Sequence, residues 1–152
     1  MDAHAKVQAH LDQYDLGLKV IDLEEDTATA QLAAQALGVK VGQIAKSLLF
    51  KVGEEYVLVV AAGDVRIKAN KLKAAAGGKA KMASFAEVEK VTGYPVGGVC
   101  PFALANPVRI FLDESLGQYD VVYTAAGTAH SALPITLDQL ALITEGEIVN
   151  LT

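Results

Sequence analysis

Short apolar runs along the chain are punctuated by glycine, proline and charged residues at regular intervals. Residues 2–15 place Val7 and Leu11 four apart on one face, which predicts a helix. Val20 to Leu23 reads as a short strand. Asp26 and Thr27 are candidate N-caps for a helix through Leu32 and Ala36 to Leu37, and Gly38 is its stop. Gln43 to Val52 predicts a strand, Gly53-Glu54-Glu55 a turn, and Tyr56 to Ala62 a returning, buried strand. Gly63-Asp64 breaks that run. Lys68 to Ala76 reads as helical and Gly77-Gly78 ends it. Ser84-Phe85-Ala86-Glu87 has the capping-box pattern and opens a helix to Val91. Thr92 to Phe102 is too rich in glycine and proline to be regular. Arg109 to Asp113 and Val121 to Ala125 read as strands, Thr136 to Gln139 caps a short helix, and Glu147 to Leu151 reads as a last strand. Helices and strands are interspersed without a βαβ rhythm. The pattern predicts one domain over residues 1–152, α/β or α+β, with a mixed sheet and helices around it.

Composition narrows this picture. The chain has 152 residues, of which 52% are hydrophobic and 20% charged. That is enough to bury a core without a disulfide or metal staple, and too apolar for disorder. No apolar run approaches the roughly 20 residues that span a bilayer, so no membrane partner is expected. A formal net charge of −5 argues against a general polyanion binder such as a DNA-binding protein. The charge is uneven, however. Arg66, Lys68, Lys71, Lys73, Lys79 and Lys81 stand together with no acidic residue between Val65 and Ala86. Such a block in an acidic chain predicts a local anion site. Cys100 is the single cysteine, and the N-terminus lacks the apolar core of a signal peptide. Both point to a reducing, cytoplasmic setting.

The common chemical fingerprints are missing. There is no G-x-G-x-x-G, no G-x-x-x-x-G-K-[ST] and no G-x-S-x-G in the chain. His4 and His10 are spaced so that they cannot share a metal on one helix face, and no metal or other cofactor is expected. Cys100 as a nucleophile with His130 as its base is one reading to be tested; a buried small cysteine is the plainer one.

Four segments carry information. Lys46 is a lone charge inside the apolar run Gln43 to Phe50, and a lysine there needs an anion or a route to solvent. Ala45, Ser47 and Leu49 share one face of that strand; Ile44, Lys46 and Leu48 share the other. Paired Gly97 and Gly98, soon followed by Pro101, predict a rigid loop whose amides can hold a carbonyl or oxyanion. Gly63-Asp64-Val65-Arg66 leads into the lysine-rich helix. Gly127 follows a strand and His130 comes shortly after, a pattern that can line a pocket or simply hold a structural histidine.

In their order these segments resemble the YbaK/ProX family, which includes freestanding relatives of the editing domain inserted in bacterial prolyl-tRNA synthetases. The matches are Thr29-Ala30, Leu37-Gly38-Val39, Gln43-Ile44-Ala45-Lys46-Ser47-Leu48, Tyr56 to Val60 with Gly63-Asp64, Lys71-Leu72, Thr92-Gly93-Tyr94, Gly97 to Phe102, Asp113 and Ala126-Gly127. They run through roughly residues 27–145. The resemblance implies a mixed, mostly antiparallel curved sheet. It also implies an aminoacyl-tRNA deacylase acting in trans on the ester at the 3′ acceptor end, with an aminoacyl-tRNA synthetase as a further partner. Lys46 would sit at the substrate pocket, and Gly97 and Gly98 would position the ester carbonyl through their amides. Val99, Pro101, Phe102, Asp113, Gly127 and His130 would contact substrate, and Arg66, Lys68, Lys71 and Lys73 would contact tRNA. Water would attack, without a nucleophilic side chain. The chain departs from the family at Cys100, where several members carry Ser or a small polar residue. In Gly127-Thr128-Ala129-His130 the spacing is one residue shorter than the Gly-x-x-x-His of the alanine-clearing branch. The substrate amino acid therefore stays open among Ala, Cys, Ser, Thr and non-protein residues. Two other readings compete: a non-catalytic module that binds tRNA or a synthetase, and a small-molecule hydrolase built on Cys100 and His130.

Overall fold

A computed structural model describes residues 2–152. Five helices, α1 (Ala3–Asp12), α2 (Ala30–Leu37), α3 (Ala69–Ala76), α4 (Phe85–Thr92) and α5 (Leu137–Thr144), surround eight strands. The strands are β1 (Ile21–Asp22), β2 (Ile44–Val52), β3 (Glu55–Ala62), β4 (Ala80–Met82), β5 (Arg109–Asp113), β6 (Val122–Thr124), β7 (Ser131–Ile135) and β8 (Glu147–Val149). They form one mixed sheet in the order β1-β7-β6-β2-β3-β5-β8, with β4 paired to β2 off that path. Antiparallel pairs join β1 to β7, β2 to β3, β2 to β4 and β6 to β7. Parallel pairs join β2 to β6, β3 to β5 and β5 to β8, so the antiparallel majority is slim.

The apolar run of β3 lies at the centre, and it is buried on both faces. Leu58 and Val60 pack on one side with Val7 and Leu11 of α1, Val88 and Val91 of α4 and Leu140 of α5. Val57, Val59 and Ala61 pack on the other with Phe50, Phe111 and Leu72 of α3. A strand between two apolar layers loses the polar–apolar alternation of a half-exposed one, which explains its unbroken Val/Leu/Ala sequence. The charged helix α3 covers its layer with little beyond Leu72 and alanines, and so keeps its lysines for solvent.

The ends of the elements follow local chemistry. The Ser84–Glu87 capping box forms as predicted, with Ser84 Oγ accepting from the Glu87 N–H and Glu87 Oε1 accepting from the Ser84 N–H. Glu87 Oε2 also accepts from Tyr56 Oη at 2.6 Å. Gly38 ends α2 as expected. The start of α2 is corrected: Thr29 is the N-cap, its Oγ1 accepting from the Leu32 N–H. Asp26 and Thr27 are engaged elsewhere. Asp26 accepts from the Ala28 N–H, and Thr27 Oγ1 is shared between Ser131 N and O.

Two strands went unforeseen. β4 is three residues long, and its Lys81 and Met82 are exposed, so it carries no hydrophobic pattern. β7 contains Pro134, which lacks a ladder donor and reads as a breaker. The register shows why it is tolerated. Leu23 N–H donates to His130 O, so the backbone groups of residues 130, 132 and 134 face the β1 edge. β1 reaches only as far as Ala132, and position 134 lies beyond it with no bond to lose.

Candidate functional site

Strand β2 is shared by three neighbours, and the sharing leaves a gap. β3 pairs along its whole length on one edge. On the other edge β6 meets only Ile44 and Ala45, and β4 meets only Phe50 to Val52. Gly63 N–H donates to Ile44 O at 2.7 Å, which assigns the ladder bonds of Ile44, Lys46 and Leu48 to β3. Ala45, Ser47 and Leu49 therefore direct their backbone groups to the opposite edge. Ala45 is met by β6, and Leu49 O accepts from Ala83 N–H at 3.0 Å. Ser47, between them, has no strand across from it.

A cavity of about 370 Å³ wraps this open stretch. Lys46 enters from one face of β2 and Ser47 from the other. Thr124 of β6, Gly97 and Val99 of the glycine loop, and Phe85 of α4 complete the walls the chemistry depends on. No carboxylate, histidine or cysteine lines it among the described residues. Several hydroxyl side chains do, and two of them are anomalous: Ser47 Oγ and Thr124 Oγ1 are buried and meet no protein partner. Leaving a buried polar group unpaired costs about 1–3 kcal/mol, so such groups are rare and call for a partner from outside the chain, a water or a ligand. Sequence reading did not identify either hydroxyl as part of a site. Their role depends on the gap between β4 and β6, which no local pattern reveals.

Lys46 is half-buried, and its ammonium donates to Val65 O at 2.6 Å. Burial lowers its pKa below the ordinary lysine value, while the nearby Asp64 carboxylate works in the opposite direction. The bond to Val65 ties the pocket lysine to the segment that opens the basic block.

The glycine loop is a tight turn. Gly98 N–H donates to Pro95 O at 2.9 Å, and Gly97 takes φ +98° at the third position of the turn, where only glycine is comfortable. The expectation that both amides face a ligand is corrected here, because the Gly98 N–H is already used inside the turn. Gly97 lines the cavity; Gly98 is buried behind it. A Cβ on Gly98 would stand 2.8 Å from Thr128 N and 2.9 Å from Gly127 C, and Gly98 O accepts from Gly127 N–H. Gly98 and Gly127 thus hold two loops in backbone contact.

The other predicted residues fall into distinct places. Val99 lines the cavity, whereas Pro101 and Phe102 are buried in the wall behind it. Phe102 O accepts from Tyr94 Oη at 2.5 Å. Asp113 is buried away from the cavity, where its carboxylate accepts from Ser115 N–H and Leu151 N–H at 3.0 and 2.7 Å. That makes it a brace for the C-terminal segment. His130 is exposed, off the cavity, with Nδ1 3.0 Å from Glu25 O. Arg66, Lys68, Lys71 and Lys73 do not line the cavity either. Lys71 donates to Asn150 Oδ1 and Thr152 O.

Cys100 is fully buried, and burial pushes its thiol up to about 12. A thiol this hard to ionise is a poor nucleophile at neutral pH. With His130 exposed and bonded to Glu25, the two residues make no dyad. Folded protein is expected to resist iodoacetamide at pH 8, and Cys100→Ala is expected to keep hydrolytic activity within about threefold; rapid alkylation with parallel loss of activity would reinstate the thiol.

With the geometry in hand, comparison with known proteins is informative. The sequence profile of the aminoacyl-tRNA editing domain matches residues 24–143. The chain is 40% identical over 136 residues to the protein YwhH of Bacillus subtilis, covering 89% of this chain and 87% of that one. It is 27% identical over 153 residues to the multifunctional Ser/Thr-tRNA deacylase ProXp-y of Escherichia coli, covering 97% and 91%. A crystal structure of a candidate trans-editing enzyme for prolyl tRNA synthetase superimposes with TM-score 0.92 at 35% identity, over 100% of this chain and 98% of that one. Among the described residues, no helix is long and apolar enough to cross a membrane.

Proposed function

Since the chain belongs to the aminoacyl-tRNA editing domain family, we propose that it is a freestanding deacylase that hydrolyses the ester of a mischarged aminoacyl-tRNA carrying a small amino acid. The observation that carries this reading is the cavity at the open edge of β2. It brings one ammonium, two unpaired hydroxyls and a glycine turn together, and no acid, histidine or thiol. That set suits a reaction in which the protein orients an ester and stabilises charge while water attacks.

The roles follow from the groups present. The Gly97 amide donates to the carbonyl oxygen as it becomes an oxyanion. The Lys46 ammonium neutralises the phosphate or the alkoxide side of the ester. Ser47, through its backbone and hydroxyl, and Thr124 hold the aminoacyl group in one orientation, which alone converts much of the entropic barrier into binding. No side chain in the cavity can take the proton of the attacking water efficiently, so the substrate's own vicinal ribose hydroxyl relays it, accepting the water proton while passing its own to the leaving ribose oxygen. The products are the free amino acid and uncharged tRNA, and the ribose oxygen leaves with a proton.

The cavity and its two unpaired hydroxyls favour a small, polar amino acid. ProXp-y, named for Ser- and Thr-tRNA, supports that class. A synthetase can reject a substrate that differs by one methylene by only about 1–3 kcal/mol, so clearance afterwards is chemically necessary. The test is deacylation of tRNA-Pro, tRNA-Ala and tRNA-Thr charged with Ser, Thr, Ala or Cys. Turnover well above the spontaneous rate on at least one is expected. Saturable tRNA binding with no hydrolysis of any would replace the enzyme by a binding module.

A further inference from the structure

The mouth of the cavity carries an apolar lip that the core does not use. Phe85 is 76% exposed, Met82 62% and Val96 46%, and all three line the cavity. Scattered exposed apolar residues are ordinary, but three around one mouth are not. Phe85 opens α4, where its ring has no structural duty: the capping box beside it is made by Ser84 and Glu87.

Next to this lip the sheet sets two like charges face to face. Lys51 of β2 and Lys81 of β4 are direct cross-strand partners. Like charges in that position repel. Glu87 offsets only part of this, lying 3.9 Å from Lys51 while already engaged by Tyr56 and Ser84. Lys81 is exposed and pairs with no carboxylate among the described residues. Ala83, two residues on and just past the end of β4, lines the cavity. An aromatic platform with an uncompensated cation beside it is what a single-stranded nucleic acid end requires: a face for the base and a charge for the phosphate.

We propose that this corner is the docking site of the RNA 3′ end, with the terminal base on Phe85, Met82 and Val96 and the preceding phosphate on Lys81 and Lys51. This rests on the deacylase reading, and it moves the principal RNA contact from the lysines of α3 to β4 and the start of α4. A base held at the mouth leaves the ester on its ribose pointing inward, and the contact is indifferent to the amino acid.

The test reads binding without turnover. The probe is an uncharged acceptor-stem hairpin ending in single-stranded ACCA, titrated onto the full chain by fluorescence anisotropy. Base–aromatic stacking is worth about 1–3 kcal/mol, so Phe85→Ala is expected to raise the dissociation constant by roughly 5- to 150-fold. Phe85→Trp should restore it, and a hairpin with an abasic 3′ terminus should bind wild type as poorly as the normal hairpin binds Phe85→Ala. Lys81→Ala should lower the slope of log K against log salt by about 0.7, the value for one phosphate contact on a single strand. Lys71→Ala and Lys73→Ala should leave binding within about twofold. Equal affinity in Phe85→Ala, indifference to the abasic end, or loss of binding on changing α3 instead would each overturn the site. Because uncharged RNA is the probe, these outcomes stand apart from the deacylase reading, which is decided by ester hydrolysis.

Discussion

Lys46→Ala is expected to lower kcat/KM for aminoacyl-tRNA hydrolysis by about 10²–10³-fold, the usual cost of removing one group that stabilises developing charge. The fold should survive, because Lys46 is only half-buried and makes one hydrogen bond, to Val65 O. A loss of activity with a melting temperature within a few degrees of wild type is therefore the signature. Activity in Lys46→Ala equal to wild type would reject the mechanism. The pH profile offers an independent check. The charged form is the useful one, and burial lowers its pKa. Enzymatic rate, corrected for the hydroxide background, should therefore fall on the alkaline side at a pH below the ordinary lysine value. Asp64 opposes the shift by favouring the ammonium. Asp64→Asn should consequently move that alkaline limb to lower pH, a change that simple damage to the fold would not produce.

Gly98→Ala is expected to be as harmful through a different route. The added methyl would meet backbone atoms of residues 127 and 128 at 2.8 to 2.9 Å, and backbone cannot swing aside as a side chain can. Overpacking of this kind costs about 1–3 kcal/mol, or roughly 3–10 °C in a chain of this size. Relief requires the two loops to part, which breaks the Gly127 N–H to Gly98 O bond and carries Gly97 away from the cavity. A displacement near 1 Å at a positioning group can cost about 10²-fold in rate. The expected result is a lower melting temperature together with a fall in kcat of about 10- to 100-fold. An alanine variant as stable and active as wild type would show that the loop contact is not needed.

These two residues also show what a sequence can disclose. Lys46 was legible because a charge inside an apolar strand violates a local rule, and a violation of that kind marks a site. The glycine pair was legible as a rigid turn, but its division of labour was not. Which amide faces out depends on Pro95 and Gly127, and on how the turn docks against a loop about thirty residues away. β3 announced itself by an unbroken apolar run, and β2 and β5 by apolar-rich ones. β4 and β7 did not: one is too short and polar, and the other hides a proline at an edge that has already ended. Ser47 and Thr124 look like ordinary strand residues; only the incomplete pairing of β2 makes them chemically conspicuous. The basic block is continuous in the sequence, yet the fold splits it. Lys71 tethers the C-terminal segment, and Lys81 pairs across the sheet with Lys51, a residue from outside the block.

The three-way pairing of β2 has a consequence for how the gene can vary. Every residue from Ile44 to Val52 is fixed in register by β3, and the two ends are fixed again by β6 and β4. An in-frame deletion or insertion of a single codon between them would exchange the two faces of the strand, sending the ammonium where the serine hydroxyl belongs. Neither neighbour could slide to compensate without losing its own partner. Length changes should thus be purged from this nine-residue segment.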